Sequence, residues 1–305
     1  MNLNSEPIIT IVIPSYNHEL YIEKCLLEIL KIDIKKNILI IDDGSTDNTP
    51  LILERMLLEL NNQDIEFIQK ENSGLVNSLN LAISKTNTKY LYLIASDDLV
   101  NPNSFVKCIY TMIAKPELKF IIAGSENLFE NSTTSVTYRR SHELFFDNTD
   151  EEIRKKLFLD YPKPLLLQST IFKTEVLKSV GGWDEDVVLD DYSMFIKLLL
   201  KYSQHKDYIF DPSIVVCKYR IHESNSSKNY IRQYSMVKQV ISKYAPLSLK
   251  SKAIGNRLAF YIMLCIKEKR INMLKTLMVN ASTYEILLSL TSIPIIYYKY
   301  IYKKL

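Results

Sequence analysis

The chain has 305 residues, 47% of them hydrophobic and 24% charged, a composition that excludes a disordered or fibrous protein. Its formal net charge of +3 is unevenly distributed along the chain, because residues 250–305 hold 10 lysines and arginines against two glutamates. No stretch is typical of a nucleic-acid-binding module, so we expect no nucleic acid as a partner. Four widely spaced cysteines without a CxxC pair, and an N-terminus without a basic and then apolar leader, predict a cytoplasmic protein with free thiols.

The first hundred residues alternate between two hydrophobic periodicities. Short, β-branched apolar runs are typical of buried strands, whereas apolar residues recurring every three or four positions are typical of helices. The chain therefore predicts four strands separated by three helices. In chain order these are strand Ile8–Pro14, helix Asn17–Lys31, strand Asn37–Ile41, helix Thr46–Leu60, strand Ile65–Gln69, helix Gly74–Lys85 and strand Tyr90–Ala95.

Polar residues directly follow three of these strands. The first strand is followed by Pro14–Asn17, the second by Asp42–Ser45 and the fourth by Ser96–Asp98. Strands that alternate with helices pair in parallel, so their carboxyl ends meet at one edge of the sheet, where α/β proteins bind ligands. We therefore expect these three segments to form one site.

The rest of the chain has weaker patterns. We predict the weakly patterned stretch 125–150 to be a mobile loop over the site. A further acidic pair, Asp190 and Asp191, precedes an apolar helix predicted over Tyr192–Tyr202, and residues 228–305 have helical spacing throughout.

The three acidic clusters match the chemical needs of nucleotide-sugar transfer. A diphosphate leaving group needs Mg²⁺ or Mn²⁺, held by one or two carboxylates and by phosphate oxygens, and the acceptor hydroxyl needs a carboxylate base. Plain structural interpretations also exist, because Asp42–Ser45 has the composition of a turn and one of Asp190 and Asp191 could cap a helix. They suit Asp97–Asp98 less well, since adjacent carboxylates repel each other unless a cation or solvent intervenes.

Six segments in order resemble the motifs of glycosyltransferase family 2. The resemblance covers roughly residues 7–230 and implies a GT-A fold, in which a mostly parallel, Rossmann-like α/β sheet is flanked by helices. It implies a catalytic domain over 1–228, with a nucleotide-binding half at about 1–102 and an acceptor half at about 103–228, before a helical, basic region over 229–305. The segments are ITIVIPSYNHELYIEKCL, ILIIDDGSTDNT, ENSGLVNSLNLAI, YLYLIASDDLVNP, GGWDEDVVLDDYSMFIKLLLK and YRIHESNSS.

The resemblance assigns the donor side to residues of the first four motifs. Pro14 and Tyr16 would border the nucleobase, and Asp43 would hydrogen-bond it, commonly as uracil. Asp97 would contact the ribose. Asn72 and Gly74 of the ENSG segment would also contact the donor, whereas many relatives carry a basic residue where this chain has Leu79.

The resemblance also implies a metal and an acceptor side. Asp98 would hold Mn²⁺ or Mg²⁺, and in the late motif His222 would meet the metal and Arg220 the diphosphate. Asp191 occupies the position of the family's catalytic base. The remaining acceptor-side residues are Trp183, and Asp190 in place of the family's usual glutamate.

The implied reaction is a single displacement of hexosyltransferase type. Asp191 would deprotonate the acceptor hydroxyl as it attacks the anomeric carbon, with inversion and an oxocarbenium-like transition state. The implied donor is a UDP-sugar. If the C-terminal segment 286–305 contacts a membrane, the acceptor expected from that contact and from the resemblance is a lipid-linked saccharide of bacterial surface-polysaccharide synthesis, such as O-antigen or capsule.

Two other classes compete with this interpretation. A metal-dependent nucleotidyltransferase would also use an α/β nucleotide site and acidic metal ligands, but would need a glycine-rich, basic phosphate loop that the N-terminal segment lacks. A non-catalytic sugar-nucleotide or glycan-binding module would bind without turnover.

The apolar run at 286–298 is too short to span a membrane. One interpretation is a helix packed on the catalytic domain, or a subunit interface. The other is peripheral contact of 286–305 with the inner face of the cell membrane, because tyrosines and lysines settle at bilayer surfaces. The local net charge of +8 favours the membrane. The tyrosines and lysines concerned are Tyr297, Tyr298, Lys299, Tyr300, Tyr302, Lys303 and Lys304.

Overall fold

The computed structural model describes residues 6–161, 165–222 and 229–298. The described strands are β1 (Ile9–Ser15), β2 (Lys36–Asp42), β3 (Ile65–Gln69), β4 (Tyr90–Leu93), β5 (Leu99–Val100), β6 (Phe120–Phe129), β7 (Thr134–Val136), β8 (Thr170–Lys173) and β9 (Tyr208–Ile221). The described helices are α1 (Ile22–Leu30), α2 (Thr49–Leu60), α3 (Leu75–Lys85), α4 (Pro102–Ala114), α5 (Arg140–Phe146), α6 (Asp150–Leu159), α7 (Thr174–Ser179), α8 (Asp190–Lys201), α9 (Tyr230–Tyr244), α10 (Leu247–Lys267), α11 (Ile271–Asn280) and α12 (Thr283–Ile296).

The described chain divides into two compact units. The sheet unit comprises 6–138, 165–185 and 201–222, and contains every described strand. The helical unit comprises 139–161, 186–200 and 229–298. The domain boundary expected near residue 228 stays a prediction.

The first four strands of the sheet unit form a parallel α/β sheet, as predicted. The sheet has the order β3-β2-β1-β4-β8-β6-β9-β5, with β7 paired to β6. Strands β1, β2, β3 and β4 are all parallel to their neighbours within this group. Because each strand returns through a helix, the chain segments after β1, β2 and β4 lie at the same edge of the sheet.

The second half of the sheet is mixed. Strand β8 pairs antiparallel with both β4 and β6, whereas β6 and β9 run parallel. The prediction of a mobile loop over 125–150 is wrong. Strand β6 continues to Phe129, the chain turns back into β7, and α5 follows β7. The weak pattern of this stretch reflects strands that alternate little between buried and exposed positions.

The core of the sheet unit lies between the sheet and its helices. Strand residues such as Ile11 and Tyr92 are fully buried against helix residues such as Leu26 and Phe105. The rings of Tyr92 and Phe105 meet edge to face, with centroids 4.9 Å apart. Burial of each such side chain contributes about 1.5–3 kcal/mol, so the core holds the strand ends in fixed positions.

The helical unit is held together by polar and aromatic contacts as well as apolar packing. The Tyr192 hydroxyl of α8 donates to the Leu157 carbonyl of α6 at 2.6 Å, and its ring stacks on Tyr161. Asn256 of α10 donates to the Leu159 carbonyl at 3.0 Å. Among the described helices of the whole chain, none is both long and apolar enough to cross a membrane.

All four cysteines are free and buried, as predicted. Burial raises the pKa of the Cys108 thiol to about 12, which keeps this side chain protonated and unreactive at neutral pH.

Candidate functional site

The loops after β1 and β2 are joined by hydrogen bonds. The Asn17 amide oxygen accepts from the Thr46 backbone N–H at 2.7 Å, and the Asn17 backbone N–H donates to the Ser45 hydroxyl at 2.8 Å. Asn17 has a left-handed backbone, with φ of 54°, a conformation that asparagine tolerates better than most residues. The two polar segments that the sequence placed at one edge of the sheet are therefore in direct contact.

Asp43 connects this edge to the start of α3. Its carboxylate accepts from the backbone N–H groups of Ser73 and Gly74, at 2.9 and 2.8 Å, and forms an ion pair with Lys70. Gly74 is the residue that precedes α3, so Asp43 places a negative charge at the positive end of that helix. The carboxylate is nearly buried and fixed in orientation, and its second oxygen retains acceptor capacity for a ligand.

Gly44 is required by the backbone at this point. Its φ is +73°, and a Cβ there would lie 2.7 Å from the Asn72 backbone nitrogen. We expect Gly44→Ala to lower the free energy of unfolding by roughly 1–3 kcal/mol, measured by urea denaturation. Gly181→Ala is the matched control, because Gly181 has φ of +79° but nothing within 4 Å of its Cβ position. Equal losses in the two variants would contradict a close contact at Gly44.

Asp97 and Asp98 follow β4 and are tied to the end of β9. Asp98 is fully buried, and its Oδ1 accepts from the Arg220 backbone N–H at 2.8 Å. The Arg220 Nε donates to the Asp97 backbone carbonyl, also at 2.8 Å. Arg220 lies across the face of Tyr21, with its guanidinium carbon 4.9 Å from the ring centroid. Residues more than 120 positions apart in the chain are thereby brought to one place.

Two histidines flank the Asp97 carboxylate. The His222 Nε2 donates to Asp97 Oδ2 at 2.9 Å, and the His18 Nε2 lies 3.9 Å from the same oxygen. His18 also shares a hydrogen bond of 2.6 Å with the Ser96 hydroxyl, and His222 stacks on Tyr21. Burial lowers the pKa of His18, and the nearby Asp97 charge partly opposes that shift. The resulting pKa below the ordinary histidine value favours the neutral imidazole of His18.

This part of the site offers donors that suit a hard divalent cation. Within the described residues, no group of three or more His, Cys, Asp or Glu side chains is arranged as a complete metal cage. A cage is not required for Mg²⁺ or Mn²⁺ beside a diphosphate, because one or two carboxylates with phosphate oxygens suffice. The adjacent buried carboxylates of Asp97 and Asp98 fit that partial ligand set. The His222 Nε2 is engaged with Asp97, and the metal contact expected of His222 stays a prediction.

Trp183 is held by the side chain of Asn80. The Asn80 amide donates to the Trp183 carbonyl and accepts from the Trp183 backbone N–H, both at 2.9 Å. The Trp183 ring is buried, so it does not present an open face for a sugar in this structure. Asn80 thus fixes the GGW turn, and the acceptor-side role of Trp183 stays a prediction.

The other expected donor-side residues line the same edge of the sheet. Tyr16 is exposed just beyond β1, and Pro14 is half-buried at the end of that strand. Asn72 and Gly74 are exposed in the turn that leads into α3. These positions are open to a ligand, as contacts to a nucleotide require.

Asp190 and Asp191 belong to the helical unit, where they form the first turn of α8. Burial raises the pKa of the Asp190 carboxyl, against the opposing effect of the Asp190 and Asp191 backbone N–H groups. Both residues are half-buried. The roles expected for them at the acceptor stay predictions.

The structure adds side chains that the sequence analysis did not assign to the site. His18 and Tyr21 contact the Asp97–Arg220–His222 group, Lys70 pairs with Asp43, and Asn80 holds Trp183. The only sequence signal for them was their position inside or beside the six motifs.

Comparison with known proteins decides the family. The model of glycosyl transferase family 2 matches residues 10–174, which is more than half of the chain. The chain belongs to glycosyltransferase family 2. The predicted enzyme class, a glycosyltransferase, is therefore confirmed.

Individual relatives of this glycosyltransferase are distant. An uncharacterized glycosyltransferase of Rickettsia typhi is 27% identical over 239 residues, 75% of this chain and 69% of the relative. Several other curated relatives are matched over less than half of their own length.

Two solved structures confirm the GT-A fold of the glycosyltransferase. A mannosyltransferase from Pyrobaculum calidifontis, in complex with GDP-Man and Mn²⁺, superposes with a TM-score of 0.59 at 19% identity. The match covers 96% of this chain and 81% of the mannosyltransferase chain. Staphylococcus aureus TarS 1–349, in complex with UDP-GlcNAc, superposes with a TM-score of 0.57 at 18% identity. The match covers 82% of this chain and 72% of the TarS chain.

Proposed function

We propose that this protein transfers a sugar from a nucleotide-diphosphate sugar, with UDP as the leaving group, to an acceptor hydroxyl with inversion. The observation that carries the proposal is the gathering of Asp43, Asp97, Asp98 and Arg220 at the carboxyl edge of a family 2 sheet. Carboxylates at this edge can hydrogen-bond a nucleoside and coordinate a cation, and the Arg220 guanidinium can bind a diphosphate.

The donor would lie along this edge from base to phosphate. The exposed Tyr16 and the neighbouring Pro14 would border the base, and the oriented carboxylate of Asp43 would hydrogen-bond it. Asn72 and Gly74 lie in the turn beside Asp43 and would line the donor. Asp97 would contact the ribose, and Arg220 would bind the diphosphate.

A divalent cation, Mn²⁺ or Mg²⁺, would neutralise the charge that develops on the departing diphosphate. Asp98 would hold it, with His222 beside it. The buried carboxylate pair supports this assignment, and so does the Mn²⁺ in the mannosyltransferase complex. Arg220 orients Asp98 through its backbone N–H and adds a fixed positive charge.

On the acceptor side, Asp191 would accept the proton of the attacking hydroxyl, with Asp190 and Trp183 nearby in the motif. The support is the position of these residues in the GGWDEDVVLDD segment. Family membership favours glycosyl transfer over nucleotidyl transfer, and over binding without turnover.

The acceptor would be a lipid-linked saccharide in the synthesis of a bacterial surface polysaccharide, such as O-antigen or capsule. Peripheral contact of 286–305 with the inner face of the cell membrane would bring the enzyme to such a substrate. The support is the tyrosine- and lysine-rich sequence of this segment and its charge. Residues 299–305 lie outside the described residues.

A donor screen tests the proposed reaction. We expect UDP release from a UDP-sugar when an acceptor saccharide and Mn²⁺ are present, and its loss when EDTA is added. If GDP is released from a GDP-sugar instead, the proposed uracil base of the donor is wrong, but the proposed sugar transfer still holds. Tight nucleotide-sugar binding without release, with every donor and metal tried, would favour the binding module.

A further inference from the structure

Helix α12 packs mostly polar residues and exposes mostly apolar ones. The residues it buries are Glu285, Ser289, Ser292 and, at its last position, Ile296. Its exposed side chains include Tyr284 at 61%, Leu287 at 58%, Leu290 at 55% and Ile295 at 69% relative exposure. A helix on the surface of a protein in water normally has the reverse arrangement.

The packed face is fixed by satisfied hydrogen bonds. Glu285 pairs with Lys238 of α9 at 2.6 Å, and Ser292 donates to the Asn256 side-chain oxygen of α10 at 2.7 Å. At Gly255 of α10, a Cβ would lie 2.7 Å from the Cβ of Leu288, so the two helices approach closely because the residue is glycine. Rotating α12 to bury Leu287 and Leu290 would break both polar contacts and the close approach.

Small and polar residues at a helix contact, with apolar residues outside, are the arrangement of helices that face lipid. With 14 residues α12 is too short to span a bilayer, so it would lie along the surface. Exposed tyrosines occur at both ends of the apolar face, at Tyr284 and at Tyr297 and Tyr298. Tyrosine is enriched at the level of the lipid headgroups.

Charge distinguishes a bilayer from a second copy of the chain as the occupant of this face. Residues 250–305 have a net charge of +8, and Lys267, Lys269 and Lys275 of the helical unit are exposed. Two copies meeting through this region would bring like charges together, whereas an anionic bilayer attracts them at about 1 kcal/mol per basic residue.

We propose that α12 lies in the headgroup layer of an anionic bilayer, with Tyr284, Leu287, Leu290 and Ile295 directed into the lipid. This inference deepens the proposed membrane contact by assigning it to one described helix face. It does not depend on the sugar or nucleotide that the enzyme uses.

Cosedimentation of the full chain with vesicles tests the proposal. We expect binding to phosphatidylcholine vesicles that contain one third phosphatidylglycerol, and much weaker binding to pure phosphatidylcholine. Leu287→Asp with Leu290→Asp should weaken binding to the anionic vesicles by about tenfold or more. The matched control is Leu51→Asp with Leu58→Asp on α2, where both leucines are also exposed, at 63% and 83%, and binding should be unchanged.

The outcomes separate this proposal from the proposed function. Nucleoside diphosphate release with a water-soluble acceptor should be the same in the wild type and both double variants. The proposal is overturned if the wild type ignores anionic vesicles, if both double variants lose binding equally, or if the α12 leucines are needed instead for a dimer seen by analytical ultracentrifugation. If circular dichroism shows that the aspartate variant is unfolded, Leu287→Ser with Leu290→Ser replaces it under the same criteria.

Discussion

Asp191→Asn is expected to slow nucleoside diphosphate release, with donor, acceptor and Mn²⁺ present, by about 10²- to 10⁴-fold. The proposed role of the Asp191 carboxylate is to take the proton of the acceptor hydroxyl, and a neutral amide cannot do so. Asparagine has nearly the same size and keeps one acceptor oxygen, so the first turn of α8 should persist. Initial rates at saturating donor and acceptor measure the loss.

The structural alternative for Asp191 makes a different prediction. A carboxylate in the first turn of a helix stabilises it through the helix dipole by about 0.3–2 kcal/mol, without any effect on chemistry. Asp150→Asn is the matched control, because Asp150 lies in the first turn of α6 in the same unit. We expect that variant to retain the wild-type rate. A wild-type rate for Asp191→Asn, with only a small fall in Tm, would show that its role is structural.

The strands of the nucleotide-binding half were predictable from the sequence because their signal is local. A buried parallel strand is a short apolar run, and the run over Ile65–Gln69 has the observed bounds of β3. The polar residues after β1, β2 and β4 follow from the same periodicity, since parallel pairing determines which edge they share. The convergence of Asp43 with the loop after β1 therefore required no knowledge of tertiary contacts.

The remaining features depend on contacts between distant parts of the chain. The sequence places His18 beside the segment after β1, but it does not indicate that the imidazole comes within 3.9 Å of Asp97, because the direction of a side chain in a loop depends on tertiary contacts. The hairpin of β6 and β7 was missed because neither strand alternates regularly between buried and exposed residues, so the sequence carries no strand periodicity there. The inverted polarity of α12 was equally hidden, since a continuous apolar run does not indicate which face is packed.

On the donor side, Asp98→Asn is expected to cause the largest loss, a fall of about 10²- to 10³-fold in Mn²⁺-dependent release of nucleoside diphosphate. The amide oxygen of the variant can still accept from the Arg220 N–H, so the buried contact between β9 and the segment after β4 should survive. What is lost is the negative charge that would hold the cation. Titration calorimetry with UDP should therefore show that Mn²⁺ no longer tightens nucleotide binding, which separates metal loss from a general loss of folding.

Asp64→Asn is the control for this experiment, because Asp64 precedes β3 at the amino ends of the strands and pairs with Lys35 at 2.6 Å. It removes a partly exposed carboxylate from the same unit without touching the carboxyl edge. We expect wild-type metal dependence for this control. If Asp98→Asn also keeps the wild-type response to Mn²⁺ in both binding and turnover, then the cation is held elsewhere, and the buried Asp98 serves only to fix the backbone of Arg220.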